Sequence, residues 1–134
     1  MLCKRTLEYV VLTGVVDGKI YAIGGYRAAN IAGTRTVEEY DPATNTWTTK
    51  ANMPEGRRWL STSVVNGKIY AIGGYVNLRQ PGLKTVEEYD PATDTWTQKA
   101  GMPTARLGLA TSMVNGIIYA IGGSPTPPQL LRTV

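Results

Sequence analysis

The chain has 134 residues, with 14 Lys and Arg against 10 Asp and Glu, no His and one Cys. This composition excludes an intramolecular disulfide, a His-based catalytic triad and a His-ligated metal site, and we expect no cofactor. No apolar stretch approaches the roughly 20 residues of a membrane-spanning helix, so no membrane insertion is expected. Glu8 interrupts the apolar N-terminal stretch, so no signal peptide is evident and a cytoplasmic location is the default expectation.

The first predicted elements are two strands, a and b, which meet at Asp17 and Gly18. Asp-Gly favours a type I′ hairpin turn, because both central residues of that turn need positive φ. Strand b, residues 20–23, is apolar on both pleat faces, so we expect it to be buried on both sides. Gly24 and Gly25 follow strand b without a subsequent helix, which favours close backbone packing over a phosphate-binding loop.

Two further strands complete the first unit. Strand c is predicted at residues 36–40, and the turn at 41–45 carries Pro42, which presets φ for a turn. Strand d follows at residues 46–48. Successive strands joined by such short turns predict a four-stranded antiparallel sheet.

The same elements return after 49 residues. Residues 15–63 laid over 64–112 are identical at 32 of 49 positions without a gap. The recurring positions, which we interpret as structural, are Gly24, Gly25, Tyr40, Trp47, Gly73, Gly74, Tyr89, Trp96, Gly122 and Gly123. Four-stranded units stacked around an axis form a β-propeller, so the repeat predicts an all-β fold.

The double glycine after strand b, the Tyr and Trp with six residues between them, and the Arg before strand a resemble the kelch repeat. The resemblance implies four-stranded antiparallel kelch blades at about 9–50 and 58–99, with an incomplete third at about 107–134. The chain holds about 2.7 units of 49 residues, whereas closed propellers have roughly 4–8 blades. Two explanations stay open. The favoured one is a piece of a longer product, and the other is a homo-oligomer that closes the ring.

Kelch propellers include partner-binding domains, copper enzymes of the galactose oxidase type and sialic acid isomerases. Copper chemistry of that type needs His ligands and a Tyr crosslinked to Cys, and this sequence has no His. The resemblance therefore implies a non-catalytic scaffold that binds a partner, with a protein as the expected partner. The alternative is a carbohydrate-binding or sugar-isomerising propeller of the sialic acid isomerase type.

Residues that recur at the same phase are most simply explained by building the blade. By this test Glu38 and Glu39 are structural, because neighbours on a strand point to opposite faces and cannot converge on one substrate atom. Arg57 and Arg106 also recur, and we expect them to pair with carboxylates of strand c. Candidate functional residues are instead those that differ between units.

The d-to-a and b-to-c connections should emerge at one end of the blades, because the four strands alternate in direction. The b-to-c segments, 26–35 and 75–84, have equal length and nearly unrelated sequences. Ten of the 14 Lys and Arg lie in or beside these connections, including Lys50 and Lys99, which predicts a basic face that attracts an acidic or polar partner. The predicted binding residues are Arg27, Arg35, Arg58, Trp59, Arg79 and Lys84.

Trp59 breaks the repeat, because the next unit has Gly108 at its position. It has two interpretations: an interface anchor beside Arg58, or a plug between blades. A nucleic-acid partner is disfavoured, because the basic segments lack interleaved aromatic side chains for base stacking.

Overall fold

A computed structural model of the chain describes residues 8–9, 12–27 and 30–127. Within these residues, all regular secondary structure is β-strand. The strands in chain order are β1 (Glu8–Tyr9), β2 (Leu12–Val16), β3 (Lys19–Ile23), β4 (Tyr26–Arg27), β5 (Asn30–Gly33), β6 (Val37–Asp41), β7 (Thr46–Thr49), β8 (Ser61–Val65), β9 (Lys68–Ile72), β10 (Val86–Asp90), β11 (Thr95–Gln98), β12 (Ala110–Val114) and β13 (Ile117–Ile121).

The predicted strands a, b, c and d build two antiparallel blades. The first is the four-stranded sheet β2-β3-β6-β7, and the second is β8-β9-β10-β11. Their registers correspond, since Tyr21 lies opposite Glu39 in the first blade and Tyr70 opposite Glu88 in the second. The third unit contributes the two-stranded sheet β12-β13. The predicted all-β fold of antiparallel blades is therefore confirmed.

The turns between strands a and b have the predicted geometry. Asp17 and Gly18 have φ of 49° and 74°, and Asn66 and Gly67 have φ of 50° and 72°. Positive φ at both central residues is what a type I′ turn requires. The prediction of a hairpin at each of these dipeptides is confirmed.

The first b-to-c connection differs from the predicted loop. Its β4 and β5 pair with each other, and β4 also pairs with β1, so the connection carries a small three-stranded sheet. The second connection, residues 75–84, forms turns instead, and the side chain of Asn77 accepts a hydrogen bond from the backbone N–H of Arg79 at 2.9 Å. Pro81 in this segment has no N–H to donate to a ladder, which disfavours a second small sheet.

The core lies between the first two blades. It contains Val16, Tyr21, Ile23, Val37 and Met53 from the first repeat, and Leu60, Ile69, Ala71 and Tyr89 from the second. The rings of Tyr21 and Tyr89 meet edge to face, with centroids 5.9 Å apart. Burial of apolar area between the blades is therefore the main stabilising contribution at this contact.

Strand b is not buried on both sides in every unit, so that prediction is wrong for β13. Tyr119 and Ile121 of β13 are 48% and 60% exposed, whereas Tyr21 and Ile23, at the same phase in β3, are 3% and 0% exposed. The difference arises because the second blade covers β3, and no described blade covers this face of β13.

Gly24 and the Tyr–Trp pairs of the two full blades have close packing contacts. A Cβ atom on Gly24 would lie 2.9 Å from the carbonyl oxygen of Arg57, so a side chain there would force the backbones apart. Each Tyr packs on the Trp of its own blade, with ring centroids 4.9 Å apart for Tyr40 and Trp47 and 5.1 Å for Tyr89 and Trp96. Gly24 therefore permits the close approach of the backbone of the next blade, and each Tyr–Trp pair packs strands c and d of its own blade.

Candidate functional site

The b-to-c and d-to-a connections meet at one end of the blades, as antiparallel connectivity predicts. Their backbones are hydrogen-bonded to one another: the N–H of Gly25 donates to Arg57 at 3.2 Å, and the N–H of Tyr75 donates to Arg58 at 3.0 Å. We call the surface formed by residues 24–36, 50–60, 73–85, 99–109 and 122–127 the loop face.

Sequence differences between the repeats concentrate on the loop face. The two full copies differ at 17 of 49 positions, and 12 of these lie at residues 27–35 or 55–59 of the first copy. The blade sheets remain nearly constant, so they carry packing. A ligand-specific role is therefore expected among the 12 differences on the loop face.

Arg57 belongs to the structural framework. Its side chain is 0% exposed, it forms an ion pair with Glu87 of the next blade, and its Nη1 donates to the carbonyl of Gly73 at 3.0 Å. The predicted pairing with a strand-c carboxylate is confirmed. Burial lowers the pKa of Arg57 and raises the pKa of Glu87, because loss of hydration outweighs the attraction between the two charges.

Two of the ten cations counted in or beside the connections are paired within their own blades. Lys50 lies 3.7 Å from a carboxylate oxygen of Glu39, and Lys99 lies 3.1 Å from one of Glu88. Both lysines therefore neutralise carboxylates of strand c, which reduces their contribution to the charge of the loop face.

Three predicted binding residues are exposed on the loop face: Arg35, Arg79 and Lys84. Arg35 also donates from Nε to the carbonyl of Met53 at 2.7 Å, which holds its side chain at the edge of the first blade. Glu55 is an exposed carboxylate on the same face. The side chain of Arg27 and the whole of Arg132 lie outside the described residues.

Arg58, a predicted binding residue, is buried, with only 6% of its surface exposed. Its guanidinium lies between two tyrosine rings, 4.8 Å from the centroid of Tyr26 and 4.7 Å from that of Tyr75. Within the described part of the chain no carboxylate pairs with it, and its Nε is enclosed without a hydrogen-bond acceptor. Each desolvated cation–π contact contributes about 2 kcal/mol, which offsets part of the cost of burying this charge.

Trp59 is half-buried and stands edge-on to Tyr75, with ring centroids 5.7 Å apart and planes at 83°. Its backbone is left-handed, with φ of 53°, and Gly108 at the same phase has φ of 63°. This conformation costs a residue other than Gly roughly 1–2 kcal/mol. This backbone conformation favours Gly, and Trp59 adopts it despite the energetic cost.

A cleft of about 540 Å³ lies beside Trp59. Gly108 and Ser124 help line it, and they occupy the phases of Trp59 and Tyr75 in the preceding unit. The small residues leave space where the preceding unit has two aromatic rings. Sequence reasoning did not identify this cleft, although the exchange of Trp for Gly and of Tyr for Ser was its visible signal.

The described residues contain no cluster of three or more His, Cys, Asp or Glu side chains that could hold a metal ion. In the same part of the chain there is no helix of the length and hydropathy that crossing a membrane requires.

The antiparallel four-stranded sheets, repeated at one interval and packed face to face, define a protein of the β-propeller class. A solved structure described as "Structure of YjhT" superposes with a TM-score of 0.80 at 20% identity, over 90% of this chain and 45% of that chain. At this identity the likeness shows the fold alone.

The Kelch motif model matches residues 11–54 and 60–103. The chain belongs to the kelch-repeat family.

Two curated relatives share part of this repeat. "Kelch-like protein terF" of Aspergillus terreus is 52% identical over 48 residues, which are 32% of this chain and 10% of that protein. "F-box protein AFR" of Arabidopsis thaliana is 44% identical over 54 residues, which are 40% of this chain and 14% of that protein. The matches therefore span about a tenth to a seventh of these relatives' lengths.

Proposed function

We propose that the chain is a non-catalytic kelch scaffold that binds a protein partner through its loop face. The observation that carries this proposal is the convergence of repeat-breaking residues on one face of two otherwise nearly identical blades. Kelch repeats generally mediate protein–protein interaction, which supports the same function.

The charge of the loop face sets the chemistry of the partner. Arg35, Arg79 and Lys84 are exposed there, against the exposed carboxylate of Glu55. A surface with positive charge attracts a negatively charged surface over roughly 8–10 Å at physiological salt. The partner segment is therefore acidic, and its binding weakens as salt is added.

A sugar ligand is the second candidate, and the observation in its favour is Trp59 beside an open cleft. Sugar sites usually combine such an aromatic platform with carboxylates. The described loop face offers Glu55 as its exposed carboxylate, and Glu55 does not line the cleft. We rank the protein partner first for this reason.

The proposal is tested by selecting a displayed random-peptide library on the immobilised chain. Wild type is compared with the variant R35A/R79A/K84A, which removes three exposed positive charges from the loop face. We expect wild type to enrich acidic peptides and the variant to lose most of that enrichment. A parallel glycan array on the same proteins tests the sugar alternative.

The matched control is A43E/A92E/T97E, which changes the net charge by the same amount at exposed positions outside the loop face. It should retain the peptides that wild type selects. Equal enrichment by wild type and R35A/R79A/K84A would contradict a basic binding face. Selective binding of glycans without acidic peptides would favour the sugar-directed function instead.

A further inference from the structure

We infer that Arg58 and Trp59 form a two-part recognition site on the loop face, for a partner peptide that carries a carboxylate side chain beside an apolar one. This inference rests on the proposed partner-binding function and names the chemistry of the segment that is bound. Arg58 receives the carboxylate, and the cleft beside Trp59 receives the apolar side chain.

The environment of Arg58 indicates an anionic ligand. A guanidinium that is this deeply buried is normally paired with a carboxylate, as Arg57 is with Glu87. Arg58 has two tyrosine faces instead, and no carboxylate among the described residues. The Nε atoms of both arginines are enclosed without an acceptor, so what distinguishes Arg58 is that its guanidinium has no carboxylate partner among the described residues.

The fold does not require an arginine at this position. Leu107 occupies the same phase in the next unit and makes the same two backbone hydrogen bonds. Arg58 exchanges them with Tyr75 at 3.1 and 3.0 Å, and Leu107 exchanges them with Ser124 at 2.9 and 3.0 Å. The charge of Arg58 is therefore not needed for the backbone pairing, which is consistent with the recognition role that we infer.

Trp59 supplies the apolar half of the site. Its indole lines the cleft of about 540 Å³, together with Leu107 and Pro127. Trp59 also contacts Tyr75, the ring that covers one face of Arg58, so the ring of Tyr75 packs against both residues. The cleft is large enough to hold one large side chain.

The partner is a protein segment, and charge complementarity selects an acidic one. The exposed Arg35, Arg79 and Lys84 on the same face attract such a segment, while Arg58 provides a planar fork that fits a single carboxylate. An Asp or Glu close to an aromatic or aliphatic residue satisfies both halves.

The test uses short labelled Gly/Ser peptides that carry one Glu and one Phe at varied separation. Matched sets replace Glu with Gln, or Phe with Ala. Dissociation constants are measured by fluorescence anisotropy for wild type, R58L and W59G. Each substitution installs the residue that the next repeat already has at that phase, so both variants should fold, and thermal unfolding checks this.

For wild type, we expect the best Glu peptide to bind at least about tenfold more tightly than its Gln counterpart, because the bond to Arg58 is charge-assisted. R58L should lose this Glu preference and keep the Phe preference, whereas W59G should do the reverse. Adding the free carboxylate acetate should compete only weakly, since it lacks the apolar anchor.

Two results would overturn the inference. One is that R58L discriminates between Glu and Gln as strongly as wild type does. The other is that wild type prefers neither Glu nor Phe. If R35A/R79A/K84A loses the library peptides while R58L and W59G keep all preferences, the proposed function stands and this inference fails.

Discussion

The neighbouring arginines Arg57 and Arg58 are both buried but have different surroundings. They are 0% and 6% exposed, respectively. Arg57 pairs with Glu87 and recurs as Arg106, so it belongs to the blade framework. Arg58 lies between two tyrosine rings and is replaced by Leu107 in the next unit. Arg58 is therefore the stronger candidate for a functional role, because its charge is buried and the repeat does not need it.

Replacing Arg57 with Met should destabilise the chain strongly. The change leaves the buried carboxylate of Glu87 without its partner, and breaking a buried pair in this way costs about 3–5 kcal/mol. Replacing both residues, in R57M/E87M, should recover much of this loss. The free energy of unfolding from urea titrations measures each step.

The control for this prediction is R106M. Arg106 has the same phase as Arg57, is less buried, and donates to the carbonyl of Gly122. It has no carboxylate partner among the described residues. Its replacement should therefore cost clearly less than that of Arg57. Equal costs for the two single variants would show that the ion pair is not what stabilises the blade contact.

At the scale of the element, strand c supplies the carboxylates of the ion pairs and hydrogen bonds within the two full blades. Glu39 of β6 binds Lys19 at 2.9 Å and the hydroxyl of Tyr21 at 2.7 Å. Glu88 of β10 accepts a hydrogen bond from Tyr70 and lies 3.1 Å from Lys99. These repeated clusters join strands b, c and d on one face of the sheet, so the paired glutamates are structural, as the repeat predicted.

The stability of the blades should fall in acid because of these clusters. The bond from Lys19 is the main cause that lowers the pKa of Glu39, and the bond from Tyr70 is the main cause for Glu88. A carboxyl with a lowered folded pKa contributes stability that is present above its ordinary value of 4.5. That stability is lost as the pH falls through the lower folded value.

The variant E39Q/E88Q should be less stable than wild type at neutral pH and should show a flatter decline below pH 4.5. Urea unfolding at a series of pH values measures both effects. E55Q is the control, since Glu55 is exposed and forms no ion pair with a described residue. If the free energy of unfolding of E39Q/E88Q falls below pH 4.5 as steeply as that of wild type, other groups cause the acid sensitivity.

At the scale of the whole molecule, the described residues of the third unit present an apolar blade surface to solvent. Val114, Tyr119 and Ile121 of the β12-β13 sheet are 53%, 48% and 60% exposed. Val16, Tyr21 and Ile23 occupy the same phases in the first blade, where the second blade reduces their exposure to 5%, 3% and 0%. The exposed surface therefore has the composition of a blade contact, and a further kelch blade is the partner that fits it.

We expect the chain to self-associate through this surface as its concentration rises. The variant V114K/I121K should reduce association, because two charges cannot be buried in an apolar contact without partners. Light scattering coupled to size exclusion over a concentration series measures the mass. The control T48K/T97K places the same charges on the exposed strands β7 and β11. A monomer at every concentration would contradict this prediction.

The sequence alone determined the blades, because local chemistry specifies their parts. Asp-Gly and Asn-Gly favour the positive φ of a type I′ turn, short apolar runs beside these turns indicate strands, and the interval of 49 residues reproduces the same sheet. The loop face also followed from strand alternation alone. These features depend on neighbours in the chain, so they can be predicted without knowing which distant groups meet.

The tertiary structure decided the environment of each functional side chain. Arg58 and Arg35 look alike in sequence, but only Arg58 is enclosed by tyrosines, and these are contributed by two successive units. The carboxylate partners of Lys50 and Lys99 were not predicted for the same reason, since their glutamates lie on a neighbouring strand. The cleft beside Trp59 exists only where distant segments pack, because burial and cavity shape are properties of contacts between residues far apart in the chain.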